Sequence, residues 1–193
     1  MRRERSIDPD WFEALFREQG DPWQFETSAY EQAKYDHTLA SLSRPRYGSV
    51  LEVGCANGVL SRRLAERCDE LIAVDVSKTA LGVARARCAD LPHVRFERRR
   101  LPQDAPDGRF DLVTLSEVVY YWDRADLARL ADYLRDAVVV GGDILLVHWT
   151  GDTDYPLSGD DAVEGLRGLL GEMVEPIREE RRELYRLDLW RRR

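Results

Sequence analysis

Apolar residues along the chain alternate between short β-branched runs and stretches of helical spacing. The runs predict strands near 49–54, 71–75, 94–98, 110–116 and 143–149. Between most of them the 3.6-residue period predicts helices near 58–67, 78–90 and 124–138. Such alternation specifies an α/β domain with a mainly parallel, doubly wound sheet. Two helices precede the first strand. Asp8-Pro9 opens one as N-cap and first-turn proline, with Trp11, Phe12, Leu15 and Phe16 on one face and Gly20 at its end. The capping-box residues Ser28 and Glu31 open the other, which carries Tyr35, Thr38, Leu39 and Leu42 and stops before Pro45. The chain closes on two extended runs near 173–180 and 184–191, read as an antiparallel β-hairpin. In the second, Tyr185, Leu187 and Leu189 alternate with Arg186, Asp188 and Trp190, which predicts a strand with two unlike faces. Residues 149–160 are too rich in turn formers to be core.

A chain of 193 residues suffices for one well-buried α/β domain and is short for two. The reading is therefore a single domain over 1–193, with residues 1–45 as an N-terminal helical lid and 46–193 as the core. No run approaches the ~18 apolar residues of a membrane span, and the polar start Met1-Arg2-Arg3-Glu4-Arg5 lacks a signal-peptide core, so the expected location is the cytoplasm. Cys55, Cys68 and Cys88 show no paired spacing and the histidines are His37, His93 and His148, so neither a disulfide framework nor a metal site is expected. With 29 Lys plus Arg against 36 Asp plus Glu, the net charge of −7 disfavours a nucleic-acid surface. The local runs Arg98-Arg99-Arg100 and Arg191-Arg192-Arg193 read as solvated strand ends.

The densest chemistry lies in Val50-Leu51-Glu52-Val53-Gly54-Cys55-Ala56-Asn57-Gly58, a strand running through a small-residue turn into a helix. Asp75 ends the next apolar run, where a carboxylate accepts hydrogen bonds from a ribose diol. Together they point to an adenosine-bearing cofactor. The spacing of Gly54, Ala56 and Gly58 is one residue too tight for the dinucleotide fingerprint, which opposes a nicotinamide-dependent oxidoreductase. Glu52 sits badly beside phosphates and well beside an ammonium or sulfonium cation.

Ligands of open α/β sheets bind outside the carboxyl ends of the strands. After the fourth run come Ser116, Glu117, Val118, Val119, Tyr120, Tyr121 and Trp122, and after the fifth come His148 and Trp149. Glu117 and His148 are the candidates to hold and deprotonate an acceptor. Tyr120, Tyr121 and Trp122 offer π-faces to a cation or a sugar ring.

The loop resembles motif I of the class I S-adenosylmethionine (SAM) methyltransferases. The resemblance sharpens to the NodS-like subgroup through P-W-x-F-x-T-S-x-Y-E-x-x-K-Y at 22–35, L-E-V-G-C-A-N-G at 51–58, A-V-D-V-S at 73–77, F-D-L-V-T-L-S-E-V-V-Y-Y at 110–121, and H-W at 148–149 with D-Y-P-L-S-G-D at 154–160. It implies a Rossmann-like fold with a seven-stranded, mainly parallel sheet, a closing antiparallel hairpin, SAM as cofactor and S-adenosylhomocysteine (SAH) as product. The implied cofactor-binding set is Trp23, Tyr30, Tyr35, Glu52, Gly54, Cys55, Ala56, Gly58, Asp75, Val76, Leu101, Ser116 and Glu117, and the catalytic set is Glu117, His148 and Tyr120. The family often has an acidic residue after the third strand to bind the adenine amino group. Here the chain reads Arg99-Arg100-Leu101-Pro102, so adenine falls to backbone groups and apolar contact from Leu101.

The implied reaction is methyl transfer to a small polar acceptor, with the nitrogen of an amino sugar or related amine favoured. Transfer to oxygen of a small metabolite, or SAM binding without catalysis, are the alternatives. No Asn-Pro-Pro-Tyr sequence follows the fourth strand, which opposes methylation of base amines or protein glutamine. The acceptor and the oligomeric state stay open.

Overall fold

A computed structural model describes residues 2–193. The chain divides into two compact units, one of residues Asp8–Arg100 and the other of residues 2–7 with Leu101–Arg193. Residues 2–45, the described part of the lid read from sequence, are thus shared between the units.

In the first unit, α1 (Pro9–Gln19) starts where the Asp8 carboxylate accepts from the Asp10 N–H at 2.8 Å and ends at Gly20, φ 70°. α2 (Ala29–Ala40) starts where the Ser28 hydroxyl accepts from the Glu31 N–H at 3.4 Å. The Glu31 side chain forms an ion pair with buried Lys34 at 3.0 Å. β1 (Tyr47–Val53), α3 (Val59–Ala65), β2 (Cys68–Asp75), α4 (Lys78–Arg87) and β3 (Val94–Arg98) follow in the predicted alternation. The strands lie in the order β3-β2-β1, all parallel, with Val53 opposite Val74 and Asp75 opposite Arg98. Leu51, Leu64, Leu71 and Leu81 are fully buried, because strand and helix faces both need apolar cover.

In the second unit, β4 (Phe110–Ser116) pairs in parallel with β5 (Val138–Trp149), and α5 (Arg124–Ala137) connects them. β6 (Val174–Arg181) and β7 (Tyr185–Arg192) form the predicted antiparallel hairpin, and β7 inserts between β5 and β6. Within each unit the strands that precede the closing hairpin pair in parallel, and the hairpin is antiparallel.

Two elements differ from the sequence expectation. A helix, α6 (Gly159–Leu170), occupies a stretch read without one, opened by a full capping box between Ser158 and Asp161. β7 does not have one solvated face: Asp188 and Trp190 are as buried as Leu187 and Leu189. α6 packs on β5 and β7. Buried Asp188 is neutralised by Arg186 at 2.8 Å, which also reaches Asp160 and Glu164 of α6.

The strap of residues 2–7 is fastened to its own unit. Arg3 pairs with Asp154 at 3.0 Å, the Arg2 guanidinium reaches the Tyr155 carbonyl at 3.3 Å, and the Ile7 N–H donates to the Tyr121 carbonyl at 2.9 Å. No helix among the described residues is long and apolar enough to cross a membrane.

Candidate functional site

Each unit brings predicted residues together at the carboxyl ends of its strands. In the first, β1 runs into a turn whose Gly54 (φ 75°), Ala56 (φ 48°) and Gly58 (φ 79°) all lie in the left-handed region. The Gly54 and Cys55 N–H groups donate to the Val74 carbonyl, and the Gly58 N–H donates to the Cys55 carbonyl at 2.9 Å. Gly58 also packs so closely on α4 that a Cβ there would lie 2.8 Å from the Ala84 Cβ. The small residues are thus required by the turn and by its backing helix.

Asp75 closes the same end. One carboxylate oxygen accepts from the Ala56 N–H at 2.9 Å and the other from the Ser77 N–H at 2.8 Å. Each oxygen retains a second acceptor site, as a ribose diol requires. Burial raises its pKa from the usual carboxylate value, against the lowering by those backbone donors. Val76, between these anchors, is half-buried.

Glu52 is 2% exposed, and its Oε2 lacks a hydrogen-bond partner. Burial pushes its pKa up to about 8, against the lowering by the nearby Ser61 hydroxyl, and the like charge of Asp75 adds to the rise. An acceptor without a donor in such a place fits a cofactor that brings a cation and its N–H donors.

The aromatic segment of this unit forms a chain of ring contacts. Phe16 meets Trp23 edge-on at 5.7 Å, Trp23 stacks on Phe25 at 5.5 Å, and Phe25 lies 6.4 Å from Tyr35. Tyr30 carries the Lys34 ammonium 5.0 Å above its ring. Trp23 and Tyr30 are partly exposed, whereas Tyr35 is buried.

Sequence reasoning missed Glu13. Its carboxylate accepts from the Ser77 hydroxyl at 2.8 Å, the Thr79 N–H at 3.1 Å and the Thr79 hydroxyl at 2.7 Å. The Thr79 hydroxyl is the largest influence holding its pKa down to about 2. The contact ties α1 to the α4 N-terminus, two residues beyond Asp75, across 64 and 66 residues of sequence that no periodicity connects.

In the second unit, β4 delivers half-buried Ser116 and Glu117. Glu117 has φ 55°, a left-handed conformation uncommon for a residue with a side chain. Its Oε2 accepts from the Tyr120 hydroxyl at 2.6 Å and from the Trp149 N–H at 2.8 Å. A one-turn 3₁₀ helix, Val119–Tyr121, follows. The Tyr120 ring lies 4.7 Å from Tyr121, 5.2 Å from His148 and 5.2 Å from Tyr155. Burial drives the Tyr120 and Tyr121 phenols well above their ordinary pKa and also raises that of Tyr155, so these hydroxyls act as donors and not as bases.

His148 is fully buried, and the Val119 N–H donates to its Nε2 at 3.2 Å. An Nε2 that accepts places the ring proton on Nδ1, and that lone pair is committed to the backbone of the turn. Leu101, 5% exposed, also belongs to this unit.

The loop after β5 holds Tyr155 in place. Its Leu157 N–H donates to the Tyr120 carbonyl at 3.2 Å. A Cβ on Gly151 would strike the Trp149 ring and one on Gly159 the Trp149 carbonyl, so both positions exclude side chains.

Comparison with known proteins agrees with this architecture. The family model Nodulation protein S (NodS) matches residues 13–143. Nodulation protein S of Bradyrhizobium diazoefficiens (strain JCM 10833 / BCRC 13528 / IAM 13628 / NBRC 14792 / USDA 110) is 36% identical over 102 residues, 52% of this chain and 49% of that protein. The Sinorhizobium fredii (strain NBRC 101917 / NGR234) protein of that name is 33% identical over 112 residues, 58% of this chain and 52% of that one. The chain spans about half the length of these curated relatives. A crystal structure of a presumed methyltransferase from Pseudomonas syringae is 41% identical with a TM-score of 0.76, covering 86% of this chain and 100% of that one. The N-methyltransferase NodS from Bradyrhizobium japonicum WM9, in complex with S-adenosyl-L-homocysteine, shares the fold at 24% identity with a TM-score of 0.81, covering 93% and 96% of the two chains.

Proposed function

The chain belongs to the NodS family, and from that premise we propose that it transfers a methyl group from SAM to a small polar acceptor, the nitrogen of an amino sugar or related amine. The observation that carries this reading is the pinned Glu117 carboxylate among Tyr120, Tyr121 and Tyr155.

The residues at the end of β1 and β2 fit the cofactor. Asp75 holds the ribose, the turn of Gly54, Cys55, Ala56 and Gly58 takes the close backbone approach, and Glu52 answers the cationic amino-acid end. Trp23, Tyr30 and Tyr35 supply ring faces, with Val76 as a further cofactor contact. When bound, SAM supplies a methyl group already activated as a sulfonium, so alignment supplies much of the rate.

The chain's own task is to present a nitrogen lone pair. An amine that arrives as ammonium must lose its proton before attack, and Glu117 is the group to take it. A carboxylate accepts about four hydrogen bonds, and the two from Tyr120 and Trp149 fix its direction. The tyrosine faces favour a cation or a sugar ring. His148 acts through the backbone of Val119–Tyr121, a positioning role and not that of the base.

The test is calorimetric titration with SAH, followed by SAH-release assays with SAM and a panel of glucosamine, chitosan oligomers and simple amines. Micromolar SAH binding and turnover on an amine support the reading. Failure to bind SAH refutes it, and turnover on hydroxyl acceptors alone moves the transfer to oxygen.

A further inference from the structure

We propose that Glu52 carries a proton in the ligand-free protein and gives it up when the cofactor binds, so that cofactor capture releases a proton to solvent. The inference rests on the SAM reading above and adds a charge change within that site.

The geometry is a run of buried polar side chains leading from β1 through the glycine turn into α3. Glu52 is 2% exposed, Asn57 1% and Ser61 is fully buried. Four of their side-chain atoms, Glu52 Oε2, Asn57 Oδ1 and Nδ2, and Ser61 Oγ, lack a hydrogen-bond partner. An ionised carboxylate taken out of water with its oxygen unpaired costs several kcal/mol, which a proton removes. A protonated Glu52 keeps one oxygen as an acceptor and turns the other into a donor, so it no longer leaves a bare charge in a buried place.

The charged groups around Glu52 push the same way. Asp75 of β2 faces it with like charge, and the thiols of Cys55 in the turn and Cys88 beyond α4 sense it. On α3, Arg62 is engaged by Asp90 and Arg63 by Asp36, while on α4 Arg87 binds Glu26. Lys34 of α2 is paired with Glu31. The pKa of about 8 agrees with this geometry. A ligand cation brought to Glu52 reverses the balance and favours the carboxylate.

The experiment is SAH titration at pH 7 in buffers of different ionisation enthalpy, repeated from pH 6 to 9, on the wild type and Glu52→Gln. The wild type is expected to release about 0.9 proton per SAH at pH 7, with affinity rising about tenfold from pH 6 to 7 and levelling off above pH 8. Glu52→Gln should lose that release. SAH binding with buffer-independent heat and pH-independent affinity overturns the inference and leaves the cofactor reading intact. Release that persists in Glu52→Gln assigns the proton to Asp75 and also overturns it. Should the variant fail to fold, Asp75→Asn takes its place: release that persists there supports Glu52, and release that is lost assigns the proton to Asp75 and overturns the inference. Absence of SAH binding at every pH instead refutes the cofactor reading, on which the inference rests.

Discussion

Gly58→Ala tests whether the turn is built as described. Gly58 caps α3 at φ 79°, where a Cβ-bearing residue costs roughly 1–2 kcal/mol. The new Cβ would also stand 2.8 Å from the Ala84 Cβ and 2.9 Å from its Cα. Backbone on that side cannot rotate away, so α3 and α4 must separate, at an overpacking cost of about 1–3 kcal/mol. The sum is roughly 2–5 kcal/mol, which at this chain length lowers Tm by about 5–15 °C. Thermal melts followed by circular dichroism measure it. Gly82→Ala on the same α4 is the control, because nothing lies within 4 Å of a Cβ there. It should stabilise by about 0.5–1 kcal/mol through helix propensity and a stiffer unfolded chain. In a double-mutant cycle, Ala84→Gly should return part of the loss, with a coupling of about 0.5–3 kcal/mol. A Gly58→Ala protein melting within about 1 °C of wild type refutes the close packing of α3 on α4.

Other consequences follow from the two strand-end clusters. Glu117→Gln should lower kcat by about 10²–10⁴ while SAH affinity is kept, since the amide cannot take the acceptor's proton. His148→Gln, whose Oε1 can accept from the Val119 N–H, should keep the wild-type pH profile, whereas His148→Leu should lower kcat; loss of the acidic limb in His148→Gln would make His148 the base. Asp75→Ala should weaken SAH binding about tenfold or more in calorimetry, because ribose hydroxyls then lose their acceptor. Glu13 has a folded pKa of about 2, below its ordinary 4.5, so its stabilisation is present above pH 4.5 and lost as pH falls toward 2. Glu13→Gln should therefore melt about 2–4 °C below wild type at pH 6, a solvent-screened effect of about 1 kcal/mol, with the gap narrowing below pH 4.5 and closing near pH 2.

The strand and helix alternation was legible because each apolar run is short and bounded, but α6 was not. Gly165, Gly168 and Gly171 interrupt its pattern, and it follows a turn-rich loop. The signals were present in the Ser158 and Asp161 box and in Val163, Leu166 and Leu170 on one face. β5 begins at Val138, five residues before the predicted 143, because Gly141 and Gly142 read as a break. Glu117 and His148 were singled out by position alone, directly after apolar runs. Their separate tasks depend on which donor each accepts from, and a hydrogen-bond direction has no trace in spacing. Glu13 illustrates the same limit, since its partners lie on a helix far along the chain.

Two of the strained backbone positions coincide with the proposed site. Among the described residues, Gln24, Ala56 and Glu117 are the non-glycine positions with positive φ. Such conformations cost of order 1 kcal/mol or more and persist where surrounding bonds fix them. Ala56 is held by its N–H on Asp75, and Glu117 by its N–H on the Val147 carbonyl and its carboxylate under the Trp149 N–H. Both lie just past the carboxyl end of a parallel strand, β1 or β4, where open α/β sheets bind ligands. In the proposed reading Ala56 presents backbone to the cofactor, and Glu117 turns its carboxylate out of the strand toward the acceptor. If strain serves that presentation, Glu117→Gly should relax the turn and cost activity beyond the loss of the carboxylate in Glu117→Gln. Equal kcat in the two variants would mean that the left-handed backbone has no part in positioning.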